Sequence, residues 1–294
     1  MFRIGIDLGG TKIEGIVLDV TGRELFRKRV DTQQEKGYAH ILDRIKSLHD
    51  ELAAGIPGAA HTFGIGTPGA ISPRTGLLKN SNTVCMNGRP VKSDLERILG
   101  RKIEIQNDAN CFAMAEALHG AGRGKKLVFG VIVGTGCGGG IVHQGEVITG
   151  PQAIAGEWGH MSIAPDGPLC YCGQRGCVET YISGGGAEVR YAEQFEIKRS
   201  FKEIVQDYHA KDAKAVEFMK VFFRQFGRSL ANLIDVLDPD VVVLGGGVSN
   251  FDALYTEGVA EVARYVFSDC FETPIVKNQL GDSAGVIGAA LIGV

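Results

Sequence analysis

The chain has 294 residues, 44% of them hydrophobic, with 31 basic and 34 acidic side chains for a formal net charge of -3. That is enough apolar matter for a full core divided between two lobes, and the charge balance excludes the basic footprint of a nucleic-acid or anionic-membrane binder. A small-molecule partner is the default that remains, and 42 glycines, many in tight clusters beside apolar runs, let backbone approach such a ligand closely.

The opening MFRIGIDLGG has no basic region, long apolar core or cleavage site of a signal peptide, and no apolar stretch is long enough to span a bilayer. A cytoplasmic location is expected. Residues Phe2 to Asp7, Glu14 to Asp19 and Glu24 to Val30 are short β-branched runs broken by LGGTK and by the turn at Thr21 and Gly22, which predicts a three-strand meander. Ile41, Leu42, Ile45, Leu48 and Leu52 recur at helical spacing within Tyr38 to Ala54, and a strand over Thr62 to Gly66 follows. Lys102 to Gln106 reads as another strand, leading into a helical run with Ala109, Ala113, Ala115 and Ala117.

The same order starts again at Leu127, where LVFGVIVGTGCGGGIVHQGEVITG repeats strand, glycine turn, strand, polar turn, strand. A helix over Ala215 to Leu237 and a buried strand in DPDVVVLGGG complete it. Duplication at this period, far longer than a solenoid repeat, predicts two similar α/β lobes with a cleft between them. The expected division is 1–118, joined by a C-terminal helix over 282–294, and 119–281, which carries a loop-rich region from Gly150 to Gly186.

Three glycine-rich turns suggest a nucleotide site. Asp7, Leu8, Gly9, Gly10, Thr11 and Lys12 join two strands, so the turn is neither a dinucleotide fingerprint nor a P-loop. A plain hairpin is the simpler reading, but it needs no acid before it and no hydroxyl and lysine after it. Backbone N–H groups, Thr11 and Lys12 would hold phosphate oxygens, with Asp7 facing hydrated Mg²⁺. Gly134, Thr135, Gly136, Cys137, Gly138, Gly139 and Gly140 occupy the matching place in the second repeat, and Gly245, Gly246 and Gly247 would pass beneath an adenine.

In QNDANCFAMAEALHG, Asp108 stands where strand gives way to helix. It could cap that helix, or it could accept the proton of a hydroxyl attacking a phosphoryl group. Further on, His160, Cys170, Cys172 and Cys177 offer one imidazole and three thiolates, the donor set of a closed tetrahedral structural Zn²⁺ site in a loop over 156–179. Cys85, Cys111, Cys137 and Cys270 stand alone, so a disulfide framework is not indicated. Glu157 and Glu179 flank the thiolate cluster as candidate acceptors for sugar hydroxyls, with solvated loop charges as the alternative. Trp158, the sole tryptophan, is assigned to packing.

The motifs IGIDLGGTK, GIGTPG, NDANC, GTGCGGG, GEWGH, CYCGQRGCVE and the strand before LGGG resemble the ROK family of sugar kinases and repressors over essentially the whole chain. The resemblance implies an actin-like ATPase (ribonuclease H-like) fold and a Mg-ATP site over Gly5, Ile6, Asp7 to Lys12 and Gly134 to Ile141, with Asp108 as base. It implies sugar contacts from Asn107, Asp108, Glu157, His160 and Glu179, zinc on His160 and the three cysteines, and a homodimer. Asn82, in KNSN, is added as a sugar contact. ISPRTGLLKNSNTVCMNGRPVKSDLE and GTGCG resemble the bacterial fructokinase, or manno(fructo)kinase, branch, so phosphorylation of fructose at the 6-hydroxyl is the first expectation, with N-acetylglucosamine kinase or glucokinase as alternatives. Repressors of the family carry an added helix-turn-helix, which this sequence does not display before its first strand.

Overall fold

The computed structural model describes all residues, Met1–Val294. Strands β1 (Phe2–Leu8), β2 (Lys12–Leu18) and β3 (Glu24–Asp31) form the expected meander, and helix α1 spans Tyr38–Ala54. Then come β4 (His61–Thr67), the small hairpin β5 (Ala70–Ile71) and β6 (Leu78–Lys79), α2 (Val91–Leu99), β7 (Glu104–Asn107) and α3 (Asp108–His119). The second half runs β8 (Leu127–Val133), β9 (Cys137–His143), β10 (Glu146–Val147), α4 (Glu179–Ile182), α5 (Gly184–Phe195) and α6 (Phe201–His209). It ends with α7 (Ala213–Leu237), β11 (Val241–Gly245), α8 (Glu257–Ala263), β12 (Ile275–Lys277) and α9 (Ala284–Ile292).

The duplication shows in the strand order of the two five-stranded sheets, β3-β2-β1-β4-β7 and β10-β9-β8-β11-β12. In each, two parallel strands extend a meander: β4 and β7 beside β1 in the first, β11 and β12 beside β8 in the second. The chain divides into two compact units, one of residues 1–123, 140–155 and 280–294, the other of 124–139 and 156–279. These units interleave along the sequence; the expected division, 1–118 with 282–294 against 119–281, did not separate 140–155.

In the first unit, β1 and β4 are buried on both faces, so they read as continuous apolar runs rather than alternating ones. Helix α1 covers one face with Ile41, Leu42, Ile45, Leu48 and Leu52, and Gly15 of β2 leaves room for Leu48 and Leu52. Helix α9 covers the other face so closely that a Cβ on Gly5 would lie 2.3 Å from Ala290 N. On α9 itself, a Cβ at Gly288 would lie 1.8 Å from the Cys111 carbonyl of α3. Backbone cannot yield as a side chain does, so Gly288→Ala is expected to cost about 1–3 kcal/mol. Chemical denaturation should show a lower midpoint with unchanged slope; an unchanged midpoint would refute the close packing.

Helix α7 begins at Ala213 rather than Ala215 because Asp212 caps it, accepting from Lys214 N–H and Ala215 N–H at 3.0 Å each. The region Gly150 to Gly186, expected as loop, contains α4 and the start of α5. No helix is long and apolar enough to cross a membrane.

Candidate active site and metal centre

Asp7, Thr67 and Asn107 lie at the carboxyl ends of the adjacent parallel strands β1, β4 and β7. In open α/β sheets this end of the strands is where ligands bind. The first glycine turn is closed by the Gly9 N–H donating to Lys12 O at 2.9 Å and is held from outside by Thr32 Oγ1 donating to Gly9 O at 2.7 Å. Thr11 and Lys12 remain exposed on it, while Ile6 and Leu8 are core side chains.

Asn107, rather than Asp108, is the N-cap of α3: its Oδ1 accepts the Ala109 N–H at 2.9 Å. Its Nδ2 donates to Gly69 O at 3.2 Å. Gly69 in turn packs against the backbone of Lys79 and Ser81, and Asn82, the next residue, is exposed. Asp108 is the first residue of α3 and half-buried, and its Oδ1 also accepts the Ala109 N–H, at 2.8 Å. A carboxylate in this first turn is favoured by the helix dipole.

The Asp7 carboxyl is pushed up to about 7 by burial first and then by the negative charges of Asp108 and Glu14, with Arg29 pulling the other way. Glu14 is an addition that the sequence did not single out. It sits opposite Asp7 in the β1–β2 register, is buried, and is neutralised by Arg29 at 2.7 Å and Arg27 at 3.6 Å. Gly285, in the first turn of α9, makes room for the Asp7 carboxylate: a Cβ there would lie 2.9 Å from Asp7 Oδ2. Two crowded carboxylates beside a turn rich in N–H groups suit a divalent cation escorting phosphates.

The raised value has a consequence for stability. The folded protein holds the Asp7 proton to about pH 7, whereas an ordinary aspartate releases it near 3.8. The folded state therefore binds more protons across that window, and this group's contribution makes stability fall as pH rises through it. In buffers without divalent cations, Asp7→Asn is expected to be stabilised relative to the parent at about pH 7.5 more than at about pH 4.5. Differential scanning fluorimetry reads this difference, and parallel Tm profiles for the two proteins would contradict it.

In the second unit the glycine turn is shorter than expected. Gly134, Thr135 and Gly136 form the turn, closed by the Gly134 N–H donating to Gly136 O at 2.9 Å, while Cys137 to Ile141 already belong to β9. Gly139 and Gly140 are glycines for packing: a Cβ on the first would lie 2.7 Å from both Phe129 and Trp158, and one on the second, where β9 passes into the first unit, 2.6 Å from Ala109 O of that unit. Cys137 offers backbone only, since its side chain is buried and its thiol is pushed well up by burial and then by Glu179. Glu179, at the head of α4, accepts the Cys137 N–H through Oε2 at 2.8 Å.

The start of α5 is laced to the same turn, with Gly184 N–H donating to Gly134 O at 2.7 Å and Gly185 N–H to Thr135 O at 3.2 Å. These residues border a cavity of about 640 Å³. Phe201, Val248 and Phe251 supply apolar wall, Gly247 opens the third glycine turn onto it, and Glu188, Lys202 and Asn250 are polar residues at its lining. Of these, only Gly134, Thr135 and Gly247 were singled out from the sequence. The run GGG at 184–186 was a further glycine cluster that could have extended the search.

The ligand atoms of His160, Cys170, Cys172 and Cys177 lie within 4.8 Å of one another. Cys170 Sγ is 3.7 Å from His160 Nδ1, and Cys172 Sγ is 3.6 Å from Cys177 Sγ. His160 Nε2 meets the Tyr171 hydroxyl at 3.0 Å, which leaves Nδ1 as the ring nitrogen nearest the Cys170 sulfur. Glu157 is half-buried just before the short 3₁₀ turn Trp158–His160. Trp158 is a packing residue, edge-on to Phe129 at 6.0 Å with its Nε1–H donating to Gly138 O at 3.0 Å.

Comparison with known proteins agrees with the architecture. The ROK family model matches residues 3–293. The N-acetyl-D-glucosamine kinase of Vibrio atlanticus (strain LGP32) is 37% identical over 300 residues, covering 99% of each chain. The crystal structure of a ROK hexokinase from Thermus thermophilus superposes with a TM-score of 0.89 at 36% identity, over 100% of this chain and 98% of that one. A ROK family glucokinase from Streptomyces griseus, in complex with glucose and AMPPNP, gives 0.79 at 29% identity, over 100% and 99% of the two chains. The chain belongs to the ROK family and has the actin-like fold of its sugar kinases.

Proposed function

We propose that the protein transfers the γ-phosphoryl group of ATP to a hydroxyl of a hexose, and that the hexose is N-acetyl-D-glucosamine. The observation carrying the phosphotransfer reading is Asp108 at the head of α3, beside the strand ends that hold Asp7 and Asn107. A carboxylate there accepts the proton of a sugar hydroxyl as it attacks phosphorus, and Asn107 and Asn82 orient the sugar. The backbone N–H groups of the Gly134–Gly136 turn suit phosphate oxygens, the cavity at Gly247 in the same unit takes the base, and the Gly9–Lys12 turn of the first unit is by itself a second cradle suited to phosphate. Magnesium brought with ATP would sit at Asp7, where it neutralises phosphate charge. The four-ligand cluster fits zinc by donor type and proximity, and zinc there would brace the loop that leads through Cys177 to Glu179.

The sugar assignment departs from the fructose first expected. It is supported by relatives such as the N-acetyl-D-glucosamine kinase of Vibrio atlanticus, which align along nearly the entire chain. ADP release measured with N-acetylglucosamine, glucose, mannose, fructose and N-acetylmannosamine tests it. The highest kcat/KM is expected for N-acetylglucosamine; a higher value for fructose would return the reading to the fructokinase branch.

A further inference from the structure

We propose that Glu188 selects the base of the nucleotide, its carboxylate taking the exocyclic 6-amino group of adenine and turning away purines that carry oxygen there. The inference rests on the reading of the 640 Å³ cavity as the nucleotide site.

Phe201, Val248 and Phe251 suit the faces of a flat purine, but they cannot satisfy its polar edge. Polar groups few in number and fixed in place set orientation in such a pocket. Glu188 is such a group. It stands on α5, half-buried, and its Oε1 accepts the Phe201 N–H at the start of α6 at 2.8 Å. That bond anchors the side chain between two helices and leaves its other oxygen as an acceptor at the cavity wall. Lys202 beside it is exposed, on a stem with no comparable anchor, and suits solvent or phosphate.

An ionised carboxylate only accepts. A bound base must therefore bring a donor to it. Adenine brings its 6-amino group, whereas hypoxanthine in the same pose sets its 6-carbonyl oxygen against the anion and would have to shift in the pocket to offer N1–H instead. Guanine carries an amino group at position 2 and oxygen at position 6, so it separates recognition of the 6-position from recognition of any amine.

The experiment compares ATP, ITP and GTP at saturating sugar in the parent and in Glu188→Gln. The parent is expected to prefer ATP over ITP and over GTP by about 10–100-fold in kcat/KM, the range of a hydrogen bond to a charged group. The glutamine keeps an acceptor for the Phe201 N–H and adds a donor for a 6-oxygen, so the ATP to ITP ratio should fall at least about tenfold. A brace between α5 and α6 with no role at the base would lower all three nucleotides together and leave the ratio unchanged, which overturns the proposal. So would a parent that uses ITP or GTP as well as ATP.

Gly247→Phe tests the underlying site separately, because a Cβ at Gly247 meets nothing within 4 Å while the longer side chain would fill the cavity. It should raise KM for ATP at least about tenfold with KM for the sugar little changed. If KM for ATP does not move, the cavity is not the nucleotide site and the base-selection proposal falls with it. If KM moves but the Glu188→Gln ratio does not, only base selection fails.

Discussion

Asp108→Asn should lower kcat by about 10²–10⁴-fold, the usual contribution of a positioned general base. The substitution isolates the chemistry well, because the amide retains an oxygen for the Ala109 N–H that Asp108 now accepts at 2.8 Å. The helix keeps its own cap in Asn107, so Tm should move little. The complementary variant, Asn107→Ala, removes that cap at a cost of about 1 kcal/mol and should weaken sugar binding while leaving a base in place. A capping role for Asp108 makes the opposite forecast, a modest Tm loss with near-normal kcat. Steady-state kinetics beside thermal melts decide between them, and an Asp108→Asn enzyme at more than about a tenth of parental kcat would remove Asp108 from the mechanism.

Loss of the metal centre is expected to act at two levels. Folded, active protein should carry about one equivalent of zinc. Cys177→Ser should release it and lower stability by on the order of 5 kcal/mol, less than the roughly 10–16 kcal/mol of isolated zinc peptides because this unit has a core of its own. Cys177 is fully buried, and the chain from it runs directly into Glu179, whose carboxylate holds the Cys137 N–H at the base of the second glycine turn. Demetallation should therefore also raise KM for ATP. Elemental analysis, calorimetry and kinetics on the same preparations read all three effects. Less than about half an equivalent in fully active protein, or a Cys177→Ser variant with unchanged Tm, would dismiss the structural metal.

Much of the framework was legible from local pattern. Helix α1 has the bounds its periodicity predicts because Gly37 and Gly55 flank an unbroken apolar face. The meander was readable because β-branched runs and turn residues alternate sharply between Phe2 and Asp31. The cluster of His160 with three cysteines was readable because its ligands lie close in sequence. By contrast, β7 is displaced toward Asn107 relative to the run Lys102 to Gln106, since its register is set by parallel pairing of Gly64 to Thr67 with Glu104 to Asn107. That pairing brings Asn107 to the strand end and makes it, not Asp108, the cap.

The chain itself determined which stretches become strands and helices, where the backbone must turn, and which donor atoms could hold a metal or a proton. Those properties follow from short-range sterics and from periodicity, and each is written within a few consecutive residues. The tertiary structure alone decided what each glycine is for: Gly5 and Gly288 admit another helix, Gly139 and Gly140 pack inside a strand and its surroundings, and Gly247 opens onto a cavity. It alone paired Glu179 with Cys137, 42 residues earlier, and crowded Asp7 with Asp108. Periodicity encodes that a face is covered. What covers it depends on contacts distant in the chain, and the charges and cavities that make a site arise only from those contacts.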